Sequence, residues 1–260
     1  MLTAVLLGAV IGVLLGLLGG GGSILAVPAL VYGAGLTLSA AIPTSLLVVG
    51  ISAATAVLPR IRAQQVRWRM AAVVGGAGAV TAFGGAALNR LLPAPAVMIG
   101  FAAVMVVAGW RMLAENAPAG GACALPGGGV DWRGCLPKAI TAGAAVGLLT
   151  GLFGVGGGFL IIPALVLGLG LPMTVAVGTS LLIVITNAAA GFAAHAGDAT
   201  LDWTVAIAFT TAAVAGSLTA ARLGRHLDAA RLRRWFAYLV FAVAAFIILQ
   251  ALTDPAALTG

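Results

Sequence analysis

Charged residues are scarce in this chain, and their scarcity determines its class. Only 7% of the 260 residues are charged and 62% are hydrophobic, so the polar surface of a water-soluble globule is missing. Apolar runs of about 20 residues, long enough for a helix to cross a bilayer, recur along the chain. The net charge of +7 comes from arginines in short loops, which the positive-inside rule explains without a nucleic acid partner. We predict an all-α polytopic membrane protein in contact with the lipid bilayer.

Acidic residues are absent from the predicted membrane core. The first is Glu115, and the other five fall in predicted loops or near chain ends: Asp131, Asp198, Asp202, Asp228 and Asp254. A cation carrier or a carboxylate proton relay needs a buried acid, and a membrane hydrolase needs clustered His, Asp or Glu. The sequence therefore disfavours these classes, and it predicts no enzyme, no metal site and no cofactor.

Cysteine is also rare. The two thiols, Cys123 and Cys135, are not spaced as a CxxC motif and have no histidines beside them, which argues against a metal pair. Both fall in residues 115–137, a stretch rich in Gly, Pro and charge that we predict to be a cytoplasmic linker. In that compartment both thiols are expected to be reduced and inert.

The linker separates two predicted transmembrane repeats, residues 1–114 and 138–260. Each repeat has five apolar pieces, at about 3–18, 23–34, 37–58, 70–89 and 95–113, and at about 138–153, 158–169, 172–194, 203–221 and 235–252. The second piece of each repeat is too short to span a bilayer alone and follows a run of glycines. This predicts a glycine-broken or re-entrant helix, and the choice between re-entrant and spanning stays open.

The two repeats are copies of each other. The stretch 16–31 is nearly repeated at 151–166, and a constant offset of 135 residues carries Pro28 to Pro163. Arginines follow the third piece of the first repeat, at 60–69, but the fourth piece of the second, at 222–234. Short arginine-rich loops stay in the cytoplasm, so equivalent loops are predicted on opposite sides of the membrane. The copies are therefore predicted to be inverted repeats with both termini outside.

The glycine runs are predicted to hold an anion. Each run exposes successive backbone N–H groups before a short apolar helix and lets a substrate approach the backbone closely. Broken helices at matching places in two repeats also mark substrate sites in secondary transporters. The candidate substrate-binding residues here are Gly21, Gly22, Ser23, Gly156, Gly157 and Gly158. The preceding stripe of Gly8, Gly12, Gly16 and Gly20 is spaced for helix packing instead.

Two hydroxyl pairs and one amide complete the candidate site. The pairs Thr44-Ser45 and Thr179-Ser180 are predicted to sit at the start of a following helix and to donate hydrogen bonds to an oxyanion. The alternative is that each hydroxyl bonds back to a carbonyl of its own helix. Asn187 either lines the site or bonds a neighbouring helix.

For His195 and the arginine clusters, the sequence favours positions near the membrane surface. His195 is expected to lie in a loop at a helix end rather than to act as a proton shuttle. The arginines at 60–69 and 222–234 are expected to be orientation signals at the lipid headgroups, and attraction of an anion at an entrance is the alternative. Without a buried acid, proton coupling would depend on His195 or on the substrate's own protonation. Transport without coupling, or coupling to a sodium ion held by carbonyls and hydroxyls, is a further alternative.

These residues resemble the sulfite exporter family typified by TauE and SafE. The resemblance rests on the glycine runs 19–23 and 154–158 with their following prolines, and on the triplets 43–45 and 178–180. It covers almost the whole chain. It implies a carrier of small sulfur-containing anions, such as sulfite or organosulfonates, in the bacterial inner membrane. Val155 interrupts the second run and Gly158 replaces Ser23, so the two half-sites need not bind alike.

The sequence thus favours a multi-pass secondary transporter that moves a small anion by alternating access. An anion channel with the same motifs, or a transporter of another small anion, is the alternative. A membrane enzyme or an assembly scaffold is a third interpretation, which the missing core acids disfavour. The anion, the direction and the coupling ion stay open, and the glycine stripes would also allow a homo-oligomer.

Overall fold

The computed structural model describes residues 2–18, 21–114, 132–153, 158–195, 202–223 and 229–253, and every regular element in these ranges is helical. In chain order they are α1 (Leu2–Leu18), a 3-10 turn (Gly21–Leu25), α2 (Ala26–Pro28), a first π-helical turn (Ala29–Gly33), α3 (Leu38–Arg62), α4 (Trp68–Asn89), α5 (Ala94–Ala114), α6 (Trp132–Phe153), α7 (Gly158–Pro163), a second π-helical turn (Ala164–Gly168), α8 (Met173–His195), α9 (Trp203–Leu223) and α10 (Ala229–Thr253).

Six of the described helices are long and apolar enough to cross a membrane: α3, α4, α5, α6, α8 and α9. The apolar parts of α1 and α10, Val5–Leu17 and Ala237–Leu249, are shorter. The prediction of an all-helical, multi-pass membrane protein is confirmed. Its apolar pieces coincide with helices because a segment in hydrocarbon must satisfy its backbone hydrogen bonds internally.

The start of α6 differs from the sequence-based expectation. The helix begins at Trp132, inside the stretch assigned to the linker. Cys135 and Ala139, one turn apart on the same face, are both fully buried and anchor the added turn. Cys135 is also disulfide-bonded, so the prediction of a reduced thiol is wrong at this position.

The short second piece of each half changes helix type at its proline. The α-helical hydrogen bonding ends at Pro28 and at Pro163, and a π-helical turn follows each. The prolines lie where the helix type changes, since proline has no N–H to continue the ladder. Each piece then closes at a glycine in the left-handed region, Gly35 with φ +70° and Gly170 with φ +71°. Glycine allows the sharp turn that leads into the next long helix.

Helices of one half pack mainly on helices of the other. α1 lies against α9, α4 against α6, and α5 against α10. A methyl group added at Gly12 of α1 would collide with the backbone of Ala213 in α9, and one at Gly147 of α6 would collide with the backbone of Gly78 in α4. These two contacts are related by the 135-residue offset. The packing role predicted for the first glycine stripe is confirmed at Gly12 and also at Gly8, which faces Phe209.

The most buried spans are α3 and α8, which contact each other at the centre of the bundle. About two thirds of each is inside the protein, 67% for α3 and 61% for α8. The pair is antiparallel, because Gly191 faces Leu46 whereas Ala188, earlier in α8, faces Gly50, later in α3. The hydroxyl pairs and Asn187 lie on these two helices, so the fold places them in the interior.

Candidate functional site

The two glycine-led segments contact each other inside the protein. The 3-10 turn lies against α7, and α7 also packs on α8. Ser23 and Ile24 of the first segment, and Ile161 and Ile162 of the second, have no solvent exposure. Gly21, Gly22 and Gly158 belong to these segments, whereas Gly156 and Gly157 lie outside the described residues. The described parts of the two glycine-led segments are therefore adjacent in a buried region.

The hydroxyl pairs are buried but do not begin their helices. α3 starts at Leu38 and α8 at Met173, so both pairs lie more than one turn inside, and the prediction of helix-start positions is wrong. In α3 the amides of Ala40 and Ala41 already bond the Thr37 carbonyl, which sets the first turn earlier. Three of the four hydroxyls donate to their own helix: Thr44 to Ala40 O at 2.7 Å, Ser45 to Ile42 O at 2.8 Å and Ser180 to Val177 O at 2.9 Å. This is the back-bonding alternative.

Thr179 makes a different contact. Its Oγ1 accepts a hydrogen bond from the backbone N–H of Arg67 at 3.1 Å. The carbonyl of Gln65 lies against Gly178, where only a glycine leaves room. The connection between α3 and α4 therefore rests on the first turns of α8, and Thr179 holds it there.

Asn187 is fully buried, and its amide makes no hydrogen bond to the residues that the structure describes. It faces α4, where a Cβ at Gly78 would lie 2.6 Å from its Oδ1 and 2.8 Å from its Nδ2. The predicted bond to a neighbouring helix is therefore not found there. Its equivalent in the first half is Ser52, which is 1% exposed and whose Oγ also has no described partner. Ser52 is not among the predicted site residues, although its offset of 135 residues from Asn187 was a usable signal.

Arg60 is the second residue that sequence analysis misjudged. It is only 1% exposed, so assigning it to the headgroup region is wrong. Its Nη2 donates to the carbonyls of Gly16, at 3.3 Å, and Leu17, at 3.5 Å, and its Nη1 to Gln65 Oε1 at 3.3 Å. Arg60 falls on the inward face of α3 because it continues the buried positions Ala53, Ala56 and Val57 at helical spacing. That spacing could have identified it.

These bonds place a permanent positive charge at the end of α1, just before the first glycine run. Neutral carbonyl and amide oxygens orient a guanidinium but do not cancel its charge. A guanidinium beside the first glycine run would attract an anion placed there.

His195 lies at a helix end, as predicted, but within the helix rather than in a loop. It is the last residue of α8, it is 7% exposed, and its Nδ1 lies 2.9 Å from the Gly191 carbonyl oxygen. Within the described ranges, no three His, Cys, Asp or Glu side chains come together as metal ligands. The described polar groups of the interior are therefore hydroxyls, one amide, one imidazole and one guanidinium.

The chain is similar to known membrane transport proteins. The family model described as sulfite exporter TauE/SafE matches residues 4–247. A probable membrane transporter protein of Xylella fastidiosa strain Temecula1 is 34% identical over 244 residues, which cover 93% of this chain and 92% of the relative. The probable membrane transporter protein YdhB of Bacillus subtilis is 24% identical over 218 residues, 82% of this chain and 85% of the relative. No solved structure matches the chain significantly. The protein is thus a membrane transporter rather than an enzyme, and it belongs to the sulfite exporter TauE/SafE family.

Proposed function

We propose that this transporter moves a small sulfur-containing anion, such as sulfite or an organosulfonate, across the bacterial inner membrane by alternating access. The family is named for sulfite export, and the printed names of the relatives say only that they are membrane transporters. The chain's own residues support the anion class independently.

The observation that carries the proposal is the contact between the two glycine-led segments beside a buried cation. The 3-10 turn meets α7, and Arg60 binds the carbonyls that precede the first glycine run. Successive backbone N–H groups of glycine form a concave donor surface for an oxyanion, and a guanidinium adds long-range attraction. We place the anion between residues 21–23 and 156–158, with Arg60 as its counter-charge.

The buried polar groups of α3 and α8 are proposed as further contacts. Because α3 and α8 are antiparallel, Thr44 and Ser45 lie toward one end of the pair and Thr179 and Ser180 toward the other. We propose that each pair of hydroxyls turns from its present partners to donate to the anion as it passes that end. Asn187 would not have to give up a hydrogen bond in order to bind the anion, because its amide makes no described hydrogen bond. An amide left unpaired in the interior costs about 1–3 kcal/mol, and a bound oxyanion would recover that cost.

Alternating access is proposed from the relation between the halves. The recurring contacts at an offset of 135 residues, and the antiparallel α3–α8 pair, are those expected of inverted repeats about an axis in the membrane plane. Two such halves can rock against each other around a central site. This movement exposes the site to one side of the membrane at a time. An anion channel could use the same motifs, so kinetics must separate the two mechanisms.

The test substitutes Gly22 with leucine in purified protein reconstituted into liposomes. Filling the glycine run should abolish counterflow of labelled sulfite and ethanesulfonate while leaving helicity and membrane insertion intact. Gly84→Leu is the matched control, because a Cβ at Gly84 meets nothing within 4 Å. Full anion flux in the Gly22→Leu protein would overturn the site assignment. Flux that never saturates and cannot drive exchange would favour the channel.

A further inference from the structure

A cavity of about 540 Å³ lies between α5, α6, α7 and the second π-helical turn. Every residue that lines it is apolar except Arg111, and its volume is typical of a site for a small organic molecule. The lining residues Ala103, Val107 and Ala145 are exposed. Because α5 and α6 are membrane-spanning helices, exposed apolar residues on their outer faces contact lipid. The cavity therefore opens toward the bilayer.

At the first glycine-led segment, the matching space holds an aromatic pair. The offset of 135 residues relates Arg111 of the cavity to Phe246, and Leu167 of the cavity to Tyr32. The rings of Tyr32 and Phe246 meet edge to face, with their centroids 5.6 Å apart. At the second segment, these two rings are therefore replaced by a smaller apolar side chain and a cation.

A second pair of positions differs in the same way. Leu7 of α1 packs against Gly33, the last residue of the first π-helical turn. The equivalent residues at the cavity are Ala142 and Gly168, and a Cβ built at Gly168 would have no atom within 4 Å. The cavity thus results from positions at which the two copies differ, and not from the fold that they share.

Arg111 marks one end of the cavity. Near the other end, the ring centroids of Phe153 in α6 and Phe101 in α5 are 5.2 Å apart. The end of α6 therefore lies beside the first half of α5, and the two helices are antiparallel. Arg111, in the last turn of α5, consequently lies toward the start of α6. There the exposed Lys138 precedes the lining residue Ala142 by one turn. The cavity thus has two cations toward one end and apolar walls along the rest.

This distribution of charge fits an amphipathic anion. A molecule that matches both parts has an apolar tail and a negatively charged head, as an anionic phospholipid has. The bilayer supplies such molecules at the open side of the cavity, and basic pockets between transmembrane helices bind anionic headgroups. Trp110, next to Arg111, is 67% exposed, which is typical of tryptophan at the level of the headgroups. Sulfite has no tail that could fill the apolar part.

We propose that the cavity is a binding site for one anionic phospholipid. One acyl chain lies against α5, α6 and α7, and the phosphate binds Arg111, with Lys138 nearby. The chain contacts Leu160 and Pro163 of α7. The lipid therefore supports the second glycine-led segment, as the aromatic pair supports the first. This site is separate from that of the transported anion, and its ligand is a resident lipid.

The test measures thermal unfolding of the purified protein in a neutral detergent with added phosphatidylglycerol, phosphatidylcholine or inorganic phosphate. Phosphatidylglycerol should raise the melting temperature saturably, with a half-maximal concentration at least about fivefold below that of phosphatidylcholine. Inorganic phosphate should have no effect, because it has no acyl chain. Equal responses to the two lipids, or a shift that phosphate alone reproduces, would overturn the proposal.

Arg111→Gln tests the headgroup contact. It should reduce the affinity for phosphatidylglycerol about fivefold and leave that for phosphatidylcholine unchanged. The matched control is Arg222→Gln, because Arg222 is also an exposed arginine in the last turn of a spanning helix but does not line the cavity. The same lipid preference in both variants would contradict the assignment of Arg111.

Ala142→Leu tests the acyl-chain contact, because it introduces the residue that α1 has at the equivalent position. The larger side chain should enter the cavity and weaken the binding of both lipids at least about fivefold. The melting temperature without added lipid should be unchanged or higher, since the leucine fills space. Ala215→Leu, at an exposed position of α9, is the control and should bind lipid normally.

A photoactivatable phosphatidylglycerol, with a diazirine in its acyl chain, locates the lipid in liposomes. It should label α5, α6 or α7, and Ala142→Leu but not Ala215→Leu should reduce that labelling at least about fivefold. Labelling only elsewhere, or labelling that Ala142→Leu leaves unchanged, overturns the proposal. Disulfide cross-linking of two copies through Val107→Cys would make a second copy the occupant, and the proposal would be wrong. These measurements do not depend on transport, so a protein that binds the lipid but carries no sulfite overturns the proposed function alone.

Discussion

Arg60 places a guanidinium among apolar side chains, where it bonds the carbonyl oxygens of Gly16 and Leu17. These oxygens belong to the last turn of α1 and lack partners within the helix. The same guanidinium therefore completes a helix end and brings a positively charged group close to the first glycine run. A buried charge is expensive, so its presence beside the candidate site favours a role in binding as well as in structure.

Substitution of Arg60 tests both roles. Arg60→Gln should reduce anion flux at least tenfold and lower the free energy of unfolding by about 1–3 kcal/mol, because charged hydrogen bonds are lost. Arg60→Lys keeps the charge but not the two-pronged geometry, so its flux should be intermediate. Arg62→Gln, an exposed neighbour, is the control. Equal flux in the Arg60→Gln and Arg62→Gln proteins, measured by counterflow, would remove Arg60 from the site.

Asn187 allows binding and stability to be separated. Replacing it with leucine removes an amide that has no described partner, so the melting temperature should be unchanged or higher. Anion flux should nevertheless fall several-fold if the amide contacts the substrate. Thermal unfolding in detergent and counterflow in liposomes measure the two effects. A variant that is more stable and transports normally would mean that Asn187 contributes neither to substrate binding nor to stability.

At the scale of the helix, glycine has two distinguishable uses in this protein. In α1 and α6 it lets a partner backbone approach, as at Gly12 and Gly147. At Gly35 and Gly170 it adopts a left-handed conformation that turns the chain. The four-residue spacing predicted the close approach of a partner helix, because such packing depends only on which residues share one helix face. The second depends on how the π-helical turns close, which the sequence pattern does not specify.

Two adjacent glycines of α4 provide a matched test of packing. A methyl at Gly85 would collide with the backbone of Leu148 and Leu152 in α6, whereas a methyl at Gly84 meets nothing within 4 Å. Gly85→Ala should destabilise the protein by about 1–3 kcal/mol, as overpacking does. Gly84→Ala should be neutral or stabilise by up to about 1 kcal/mol, because alanine favours a helix. Similar melting temperatures for the two variants would contradict the α4–α6 contact.

At the scale of the whole molecule, each half completes the packing of the other. α1 finds its partner in α9 and α6 finds its partner in α4, so neither half buries its glycine stripe alone. Such interlocking is expected of inverted repeats, and it ties the two half-sites to one central helix pair. A movement of one half against the other would therefore act on both glycine runs together.

Membrane sidedness tests the inversion. Arg67 and Asp202 are equivalent positions, both exposed, immediately before α4 and α9. In variants of the natural chain that each add one cysteine, an impermeant maleimide should label Arg67→Cys only from the cytoplasmic side and Asp202→Cys only from the outside. The natural chain, in which Cys135 is buried and disulfide-bonded, is the background control. Labelling of both variants from one side would exclude inverted repeats.

The sequence by itself determined the membrane class, the helical pieces, the duplication and the family. These properties depend on composition, on the length of apolar runs and on spacing along one chain, all of which are local. It also indicated where the short helices break, because proline and glycine act on their own backbone.

Only the tertiary structure decided which polar groups are buried and what they contact. The backbone N–H of Arg67 bonds Thr179, Arg60 reaches the end of α1, and Asn187 faces Gly78. Each of these contacts joins segments far apart in the chain, so no local pattern specifies it. For the same reason Arg60 and His195 looked like residues of the membrane surface in the sequence, whereas the packing of the neighbouring helices buries both.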